Sequence, residues 1–179
     1  MAARGSHLSA AKIVRDAGGV LVGRTRLQKV AYLTQLAGFP GEFEFEYRHY
    51  GPFSEDLASA MEIASGLGLI QEEERRADWG GRYSIYRATD RTEIAPPNDD
   101  RSKFVSSAAQ IGAVELELAA TAAFLYAGEG IGRTRAGDPW EVTAALKPDK
   151  AANGRLERAK IAYRKLRALE TPVALPPIA

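Results

Sequence analysis

Apolar residues in the first part of the chain recur at helical spacing in two segments. Residues 9–17 predict a first helix that Ser9 caps and that Gly18-Gly19 ends. A second helix begins near Arg24 and continues to the Gly and Pro residues that follow residue 37. Apolar residues occupy more than one face of this second helix, which predicts that it is largely buried.

Acidic and aromatic residues alternate over residues 42–50, which is typical of a half-buried strand. The turn Tyr50-Gly51-Pro52-Phe53 follows, and Ser54 then caps a third helix with acidic residues in its first turn. Farther on, two extended segments flank Gly80-Gly81 and predict a β-hairpin.

This order of elements predicts a mainly α fold of the α+β class, with a winged-helix-type core, a β-hairpin wing and a C-terminal helical extension. Leu69 and Ile70 leave the third helix as the first wing strand, and Tyr83 and Ile85 face one way on the return strand. Any other small α+β domain with a hairpin is the alternative.

The second half reads as helical from Lys103 onward, with a helix opened by Asp138-Pro139 and a basic last helix over residues 150–169. Arg4-Gly5-Ser6-His7 is either native or the remnant of a tag. The predicted organisation is a disordered tail or tag remnant over 1–8, a winged-helix-like core over 9–90, a linker over 91–101, a helical extension packed on the core over 102–170, and a tail over 171–179.

Composition narrows the classes of function. The chain has 179 residues and no cysteine, which excludes thiol nucleophiles, disulfides and cysteine metal sites and is compatible with a reducing cytoplasm. No apolar stretch is long enough to span a membrane, and the N-terminus does not resemble a signal peptide. We therefore expect a cytoplasmic protein with no membrane partner. Its net charge of +1 combines basic ends, residues 1–29 and 150–179, with an acidic middle.

The residues that catalysis uses are scarce. Outside the N-terminal tail, His49 is the single histidine, and no Gly-x-Ser-x-Gly elbow or metal-ligand spacing is present. The glycines of residues 128–132 have no strand before them and no Lys-Ser/Thr after them, so they predict a flexible connection rather than a phosphate loop. We expect no catalytic residue, no cofactor, no metal site and no enzymatic activity.

Three short motifs resemble a known group of bacterial proteins. They are Arg26 to Leu33, containing Leu-Gln-Lys, then Tyr47 to Ser54, containing Tyr-Gly-Pro, and Leu146-Lys147-Pro148. The sequence resembles the Panacea domain of SocA-like antitoxins and is more similar to the YwgA-like bacterial proteins, over about residues 10–170. The resemblance implies a compact, winged-helix-related fold that holds a toxin or other protein. In some members it implies phage defence or delivery of a partner to a protease, and it implies no catalytic residues.

Charge decides between a DNA partner and a protein partner. In helix-turn-helix proteins the third helix needs Arg, Lys, Asn or Gln at exposed positions, but here it carries Glu55, Asp56 and Glu62 and no Lys or Arg. We therefore expect a protein-binding module, antitoxin-like or adaptor, whose partner is a toxin or effector. The predicted contact residues are Arg48, His49, Tyr50, Phe53, Arg75, Arg76 and Trp79.

Structural roles compete with these assignments. Tyr50 can instead pack in the core, His49 can bond a backbone carbonyl, and Trp79 can pack on the helical extension rather than on a partner. The alternative function is a DNA-binding winged-helix regulator that uses basic helices, although a solvated face explains the last helix equally. Self-association is also open. The nucleic-acid contacts of that alternative are Arg24, Arg26, Lys29, Arg155, Arg158, Arg164 and Lys165.

Overall fold

The computed structural model describes residues 5–178, in which eight helices and five strands form a mixed α+β fold. In chain order the elements are α1 (Ser6–Asp16), β1 (Val20–Val22), α2 (Arg24–Leu36), β2 (Glu46–Arg48), β3 (Gly51–Phe53), α3 (Glu55–Gly66), β4 (Ile70–Arg76), β5 (Arg82–Ala88), α4 (Asp100–Ala109), α5 (Ala113–Ala127), α6 (Pro139–Leu146), α7 (Pro148–Ala151) and α8 (Arg155–Arg167).

The predicted hairpin is confirmed as β4 and β5, which pair antiparallel in a register that sets Ile70 opposite Ala88. The sheet gains a third strand that the sequence pattern did not reveal. Strand β1 pairs antiparallel with β5 and gives the strand order β1-β5-β4. Because β1 has only three residues, with Leu21 buried between two exposed valines, it is too short for an alternating pattern to stand out.

Helix α1 begins earlier than predicted, so the disordered tail over 1–8 is wrong for its last residues. Gly5 precedes the helix with a φ of 94°, and Ser6 to Leu8 are helical. Ser9 therefore lies inside the helix rather than capping it. The prediction for residues 1–4 falls outside the described residues.

Of the half-buried strand predicted over 42–50, only Glu46–Arg48 form a strand, β2. It is exposed and pairs with β3 in a two-stranded sheet. Upstream of β2, the side-chain amide of Gln35 donates to the carbonyl of Phe43 at 2.7 Å and accepts its N–H at 3.1 Å. The Phe43 side chain is buried. Hydrogen bonds to a side chain, rather than to a neighbouring strand, therefore satisfy this part of the segment.

The segment predicted as a linker, residues 91–101, is anchored. Helix α4 begins at Asp100, three residues earlier than expected, because the Asp99 side chain accepts the Ser102 N–H and caps it. The Arg101 guanidinium contacts the buried carboxylate of Asp16 in α1, and Thr92 is buried. The two halves of the chain are therefore joined here by an ion pair.

One apolar core serves both halves. Helix α5 is buried continuously from Leu116 to Leu125 and packs against α2, α6 and α8. A helix buried on every face occupies the centre of a domain. The segment predicted as a helical extension packed on the core, residues 102–170, thus supplies the central helix of that core, to which α1, α3 and the sheet also contribute.

Two corrections concern the C-terminal part. The single helix predicted over 150–169 is divided into α7 and α8, because Asn153 and Gly154 adopt positive φ values of 58° and 75°. The segment predicted as a tail, 171–179, is packed as far as it is described. Leu175 is 1% exposed, and Tyr163 donates its hydroxyl to the carbonyl of Pro176 at 2.8 Å.

Across the described part of the chain, no single helix has the length and hydropathy to cross a membrane. Helices α4 and α5 meet those criteria only when they are taken together, and they are bent by 119° relative to one another.

Replacing Leu175 with Ala should lower the free energy of unfolding by about 2–4 kcal/mol, because the change opens a cavity in the shared core. The matched control is Val173→Ala, a neighbouring side chain that is mostly exposed and should change stability by less than about 1 kcal/mol. Urea unfolding followed by circular dichroism measures both. Equal, small effects would show that the C-terminal segment does not contribute to the core.

Candidate functional site

The Tyr47–Ser54 segment lies over α2 and α5 and is held there by buried side chains of α2. The amide of Gln28 donates to the Ser54 carbonyl at 3.0 Å and accepts the Ser54 N–H at 2.8 Å. Next to it, Lys29 is only 1% exposed, and its Nζ donates to the Pro52 carbonyl at 2.8 Å. The Leu-Gln-Lys motif therefore fixes the backbone of the Tyr-Gly-Pro motif.

The Leu146-Lys147-Pro148 motif is connected to the other two motifs through the buried carboxylate of Glu117. Glu117 of α5 is 4% exposed, and its Oε1 accepts a hydrogen bond from the Nζ of Lys147 at 2.8 Å. Lys147 also donates to the His49 carbonyl at 3.0 Å. Lys150 lies 2.7 Å from both oxygens of Glu117. We call Lys29, Glu117, Lys147 and Lys150 the charge cluster.

The charge cluster contains three ammonium groups and one carboxylate. Burial lowers the pKa of Lys29 from its ordinary value to about 8; Glu117 opposes this shift, while Lys147 and Lys150 add to it. Positive charge therefore exceeds negative charge in the cluster.

Two aromatic side chains cover the cluster on the solvent side. Tyr50 is 57% exposed, and the Lys150 ammonium lies 4.6 Å from the centroid of its ring. The Lys147 ammonium lies 5.9 Å from the centroid of the Tyr47 ring. Both distances are within the range of a cation–π interaction. Burial and the nearby Glu117 raise the pKa of the Tyr47 hydroxyl, which keeps it protonated.

Two cavities flank this turn. The larger, of about 540 Å³, is lined by Tyr47 to His49 and by Leu146 to Lys150. The smaller, of about 300 Å³, is lined by residues 48–51 and by the first turns of α2. Arg48 and His49 of the turn therefore contribute to both cavities.

Gly51 is required for the close approach of this turn to α5. Its φ is 88°, and a Cβ at this position would lie 2.6 Å from Thr121 Oγ1. Within residues 5–178, this buried hydroxyl oxygen has no hydrogen-bond partner. Glycine is thus needed here both for backbone conformation and for space.

The predicted protein-contact residues form two groups. Arg48, His49, Tyr50 and Phe53 come together at the turn, where His49 and Tyr50 are exposed. Arg48 is engaged within the chain: it pairs with Glu46 and Glu55, and its guanidinium lies 4.9 Å from the centroid of the Phe53 ring. The structure thus makes Tyr50 a surface residue rather than a core one.

The remaining residues of the protein-contact prediction lie at the hairpin. Arg75 pairs with Glu73 at 2.6 Å, and Arg76 is exposed. Trp79 is 80% exposed, so the alternative that it packs on the helical extension is wrong.

The predicted nucleic-acid contacts in α2 are largely unavailable. Lys29 is buried, so its assignment to a phosphate contact is wrong. Arg26 donates to the carbonyls of Val22 and Ala109, and burial lowers its pKa. Arg24 pairs with Glu72 at 2.9 Å. The sequence could not show these long-range partners.

The predicted contacts in the last helix differ from one another. Arg158 pairs with Glu115 at 3.0 Å, and Arg155 reaches the Asp149 carbonyl at 3.5 Å. Arg164 and Lys165 are exposed on α8. Of the seven residues predicted to contact nucleic acid, Arg164 and Lys165 of α8 are therefore the two that are exposed and have no carboxylate or carbonyl partner in the described part of the chain.

Sequence reasoning missed Glu117 and Lys150 as parts of a site. A signal for Glu117 exists, because it is flanked by Leu116 and Leu118 in a largely apolar helix, where a buried carboxylate needs a cationic partner. In residues 5–178 no group of three or more His, Asp or Glu side chains is arranged to hold a metal ion.

Comparison with known proteins gives one partial likeness. The chain is 32% identical over 81 residues to the uncharacterized protein YwgA of Bacillus subtilis (strain 168). The match covers 45% of this chain and 46% of that protein, so it spans less than half of either. No protein-family model matches. The comparison supports a likeness to the YwgA-like group and does not extend to the Panacea domain.

Replacing Gly51 with Ala should destabilise the fold by about 1–3 kcal/mol, because alanine is strained at this φ and contacts Thr121 Oγ1. The control is Gly66→Ala at the end of α3, where a Cβ meets open space. Thermal unfolding of both variants tests this. A Gly51→Ala protein as stable as the wild type would contradict the required approach of the turn to α5.

The contribution of Lys29 to the free energy of unfolding should rise between pH 8 and pH 10. The pKa of Lys29 is about 8 in the folded chain and about 10.4 in the unfolded chain, so the unfolded state binds more protons in this window. The gain from this residue is at most about 1.4 kcal/mol per pH unit. Lys29→Met should lack it, and the stability difference between wild type and variant, measured by urea unfolding at several pH values, isolates Lys29. If the free energies of unfolding of wild type and Lys29→Met change in parallel with pH, the lowered pKa of Lys29 is contradicted.

Proposed function

We propose that this chain is a non-enzymatic protein-binding module, antitoxin-like or adaptor, and that it acts in the bacterial cytoplasm. The observation that carries the proposal is the exposed Tyr50 on an anchored turn. Exposed aromatic side chains with few rotatable bonds are favoured at the centres of protein interfaces. The partner in this proposal is a toxin or effector, as expected for a role like that of the SocA-like antitoxins in toxin neutralisation or phage defence.

The anchoring of the turn supports this role. A two-stranded sheet with three residues in each strand has little stability of its own. Here the carbonyls of His49 and Pro52 are held by two lysines, and the backbone of Ser54 by Gln28. A turn that is already ordered loses less conformational entropy when a partner binds.

We also propose that the first part of the chain is a winged-helix domain. Helix α1, strand β1, helices α2 and α3 and the hairpin β4–β5 follow one another, and β1 closes the sheet in the order β1-β5-β4. The two short strands β2 and β3 are inserted between α2 and α3. In this arrangement α3 occupies the position of the recognition helix.

The exposed side of α3 favours a polypeptide over DNA. Glu62 is exposed beside Ile63, which is half exposed, and Leu67 follows directly after the helix with a similar exposure. Carboxylates repel phosphate, and apolar side chains gain nothing from it. In α2, Lys29 is buried and Arg26 is committed to backbone carbonyls.

The test is affinity copurification from the organism that encodes the chain, followed by mass spectrometry. Tyr50→Ala and Trp79→Ala should each lose the partner that the wild type retains, while their melting temperatures stay within a few degrees. The control is Ile94→Ala, an exposed apolar side chain away from both surfaces.

Two results would overturn the proposal. One is a partner set that is the same for wild type and both aromatic variants. The other is binding to duplex DNA whose affinity falls steeply with salt and is lost in Arg164→Gln or Lys165→Gln, which would assign the DNA-binding alternative.

A further inference from the structure

The charge cluster holds more positive than negative charge. Glu117 faces Lys147 and Lys150 directly, and the ammonium of Lys29 is buried under the same turn. The carboxylates of Glu46 and Glu55, at the edge of the turn, are paired with Arg48. Asp149 is a further carboxylate at the larger cavity, and it is exposed.

Lys147 and Lys150 are the two lysines of the cluster that line the larger cavity. Lys147 donates to the His49 carbonyl and to Glu117, and Lys150 donates to both oxygens of Glu117. An ammonium group has three N–H donors, so each of these lysines keeps one for another acceptor. The side chain of Lys150 is 34% exposed, so a ligand reaches it without unfolding of the turn.

The walls of the cavity suit a small group with an apolar stem. Tyr47 and Leu146, both partly exposed, lie beside the two lysines. A carboxylate or phosphate on a short side chain would place its oxygens at the ammonium groups and its stem against these walls.

We propose that the cavity lined by Tyr47, His49, Leu146, Lys147 and Lys150 binds an oxyanion, a carboxylate or a phosphate group, with Lys147 and Lys150 as its donors. The identity of the natural ligand rests on the proposed function: the oxyanion belongs to a side chain of the partner protein that meets Tyr50. The existence of the oxyanion site can be tested on the isolated chain.

Glu117 competes with the ligand for the same two lysines. Removing its charge therefore strengthens binding of the oxyanion, and removing the charge of Lys150 weakens it. A charge-cluster site thus predicts opposite effects for Glu117→Gln and Lys150→Gln, whereas loss of folding would weaken binding in both.

The experiment is a titration followed by backbone amide NMR at constant ionic strength. The probes are inorganic phosphate and N-acetylglutamate amide, with N-acetylglutamine amide as the uncharged match of the second. Amide resonances of His49, Lys147 and Lys150 should shift saturably with at least one charged probe and not with the glutamine compound. Lys150→Gln should weaken the affinity by about tenfold, as expected for the loss of one charged hydrogen bond.

Lys165→Gln, which removes an exposed lysine of α8, is the matched control and should leave the affinity unchanged. Glu117→Gln should bind more tightly than the wild type, with its melting temperature confirming that it is folded. If Glu117→Gln does not fold, Asp149→Asn takes its place, since it removes the exposed carboxylate at the cavity and should also tighten binding. Saturation by phosphate alone assigns a phosphorylated side chain as the ligand, and saturation by the glutamate compound alone assigns an acidic one.

Absence of saturable shifts with both charged probes, or an affinity unchanged by Lys150→Gln, overturns the oxyanion site. Its failure is separable from failure of the proposed function. Loss of the oxyanion site with continued Tyr50-dependent capture of a partner removes only this inference. Oxyanion binding with no Tyr50-dependent partner removes only the protein-binding proposal.

Discussion

The buried carboxylate of Glu117 is the constraint on which the arrangement of the surface around Tyr50 depends. It lies in α5, the central helix, among apolar residues, where an unpaired charge costs several kcal/mol. Lys147 and Lys150 reach it from the segment after α6, and Lys147 continues to the His49 carbonyl. One charge therefore fixes the C-terminal part of the chain against the turn before α3. Such a pair specifies which segments meet, and it adds little net stability compared with an apolar contact.

The consequence for the surface is a turn whose backbone is held from below and whose side chains face outward. Tyr50 is exposed although its neighbours Gly51 and Pro52 are buried. That contrast within three residues requires the close approach to Thr121 that only glycine permits. The residues of the Leu-Gln-Lys and Tyr-Gly-Pro motifs thus have two roles. Gln28, Lys29 and Gly51 fix the backbone of the turn, and Tyr50 is exposed on it.

How far the sequence predicts this structure depends on the distance over which each signal acts. Caps act within one turn of a helix, and the roles of Ser54 and Asp138 follow from the sequence. The packing of residues 171–178 and the pairing of Arg101 with Asp16 depend on partners far along the chain, so a local pattern does not contain them. Lys29 is instructive: lysine is usually exposed, yet a helix with apolar residues on more than one face leaves little surface for it. The apolar faces of α2 therefore predict the burial of Lys29 better than the usual exposure of lysine does.

The winged-helix order of elements that we propose does not decide between DNA and protein, because function belongs to the side chains that a fold presents. On this chain α3 carries Glu55, Asp56 and Glu62, and the half-exposed Ile63 and Leu67 lie within it and directly after it. The exposed basic residues Arg164 and Lys165 lie on α8 instead. A groove reader needs positive charge on the helix that enters the groove. The charge cluster adds positive charge at the turn, but its lysines lie close to the rings of Tyr47 and Tyr50 and beside a buried carboxylate. Cations gathered at one point suit a single anionic group, while the phosphates of a duplex are spaced along a rigid surface and need an exposed row of cations.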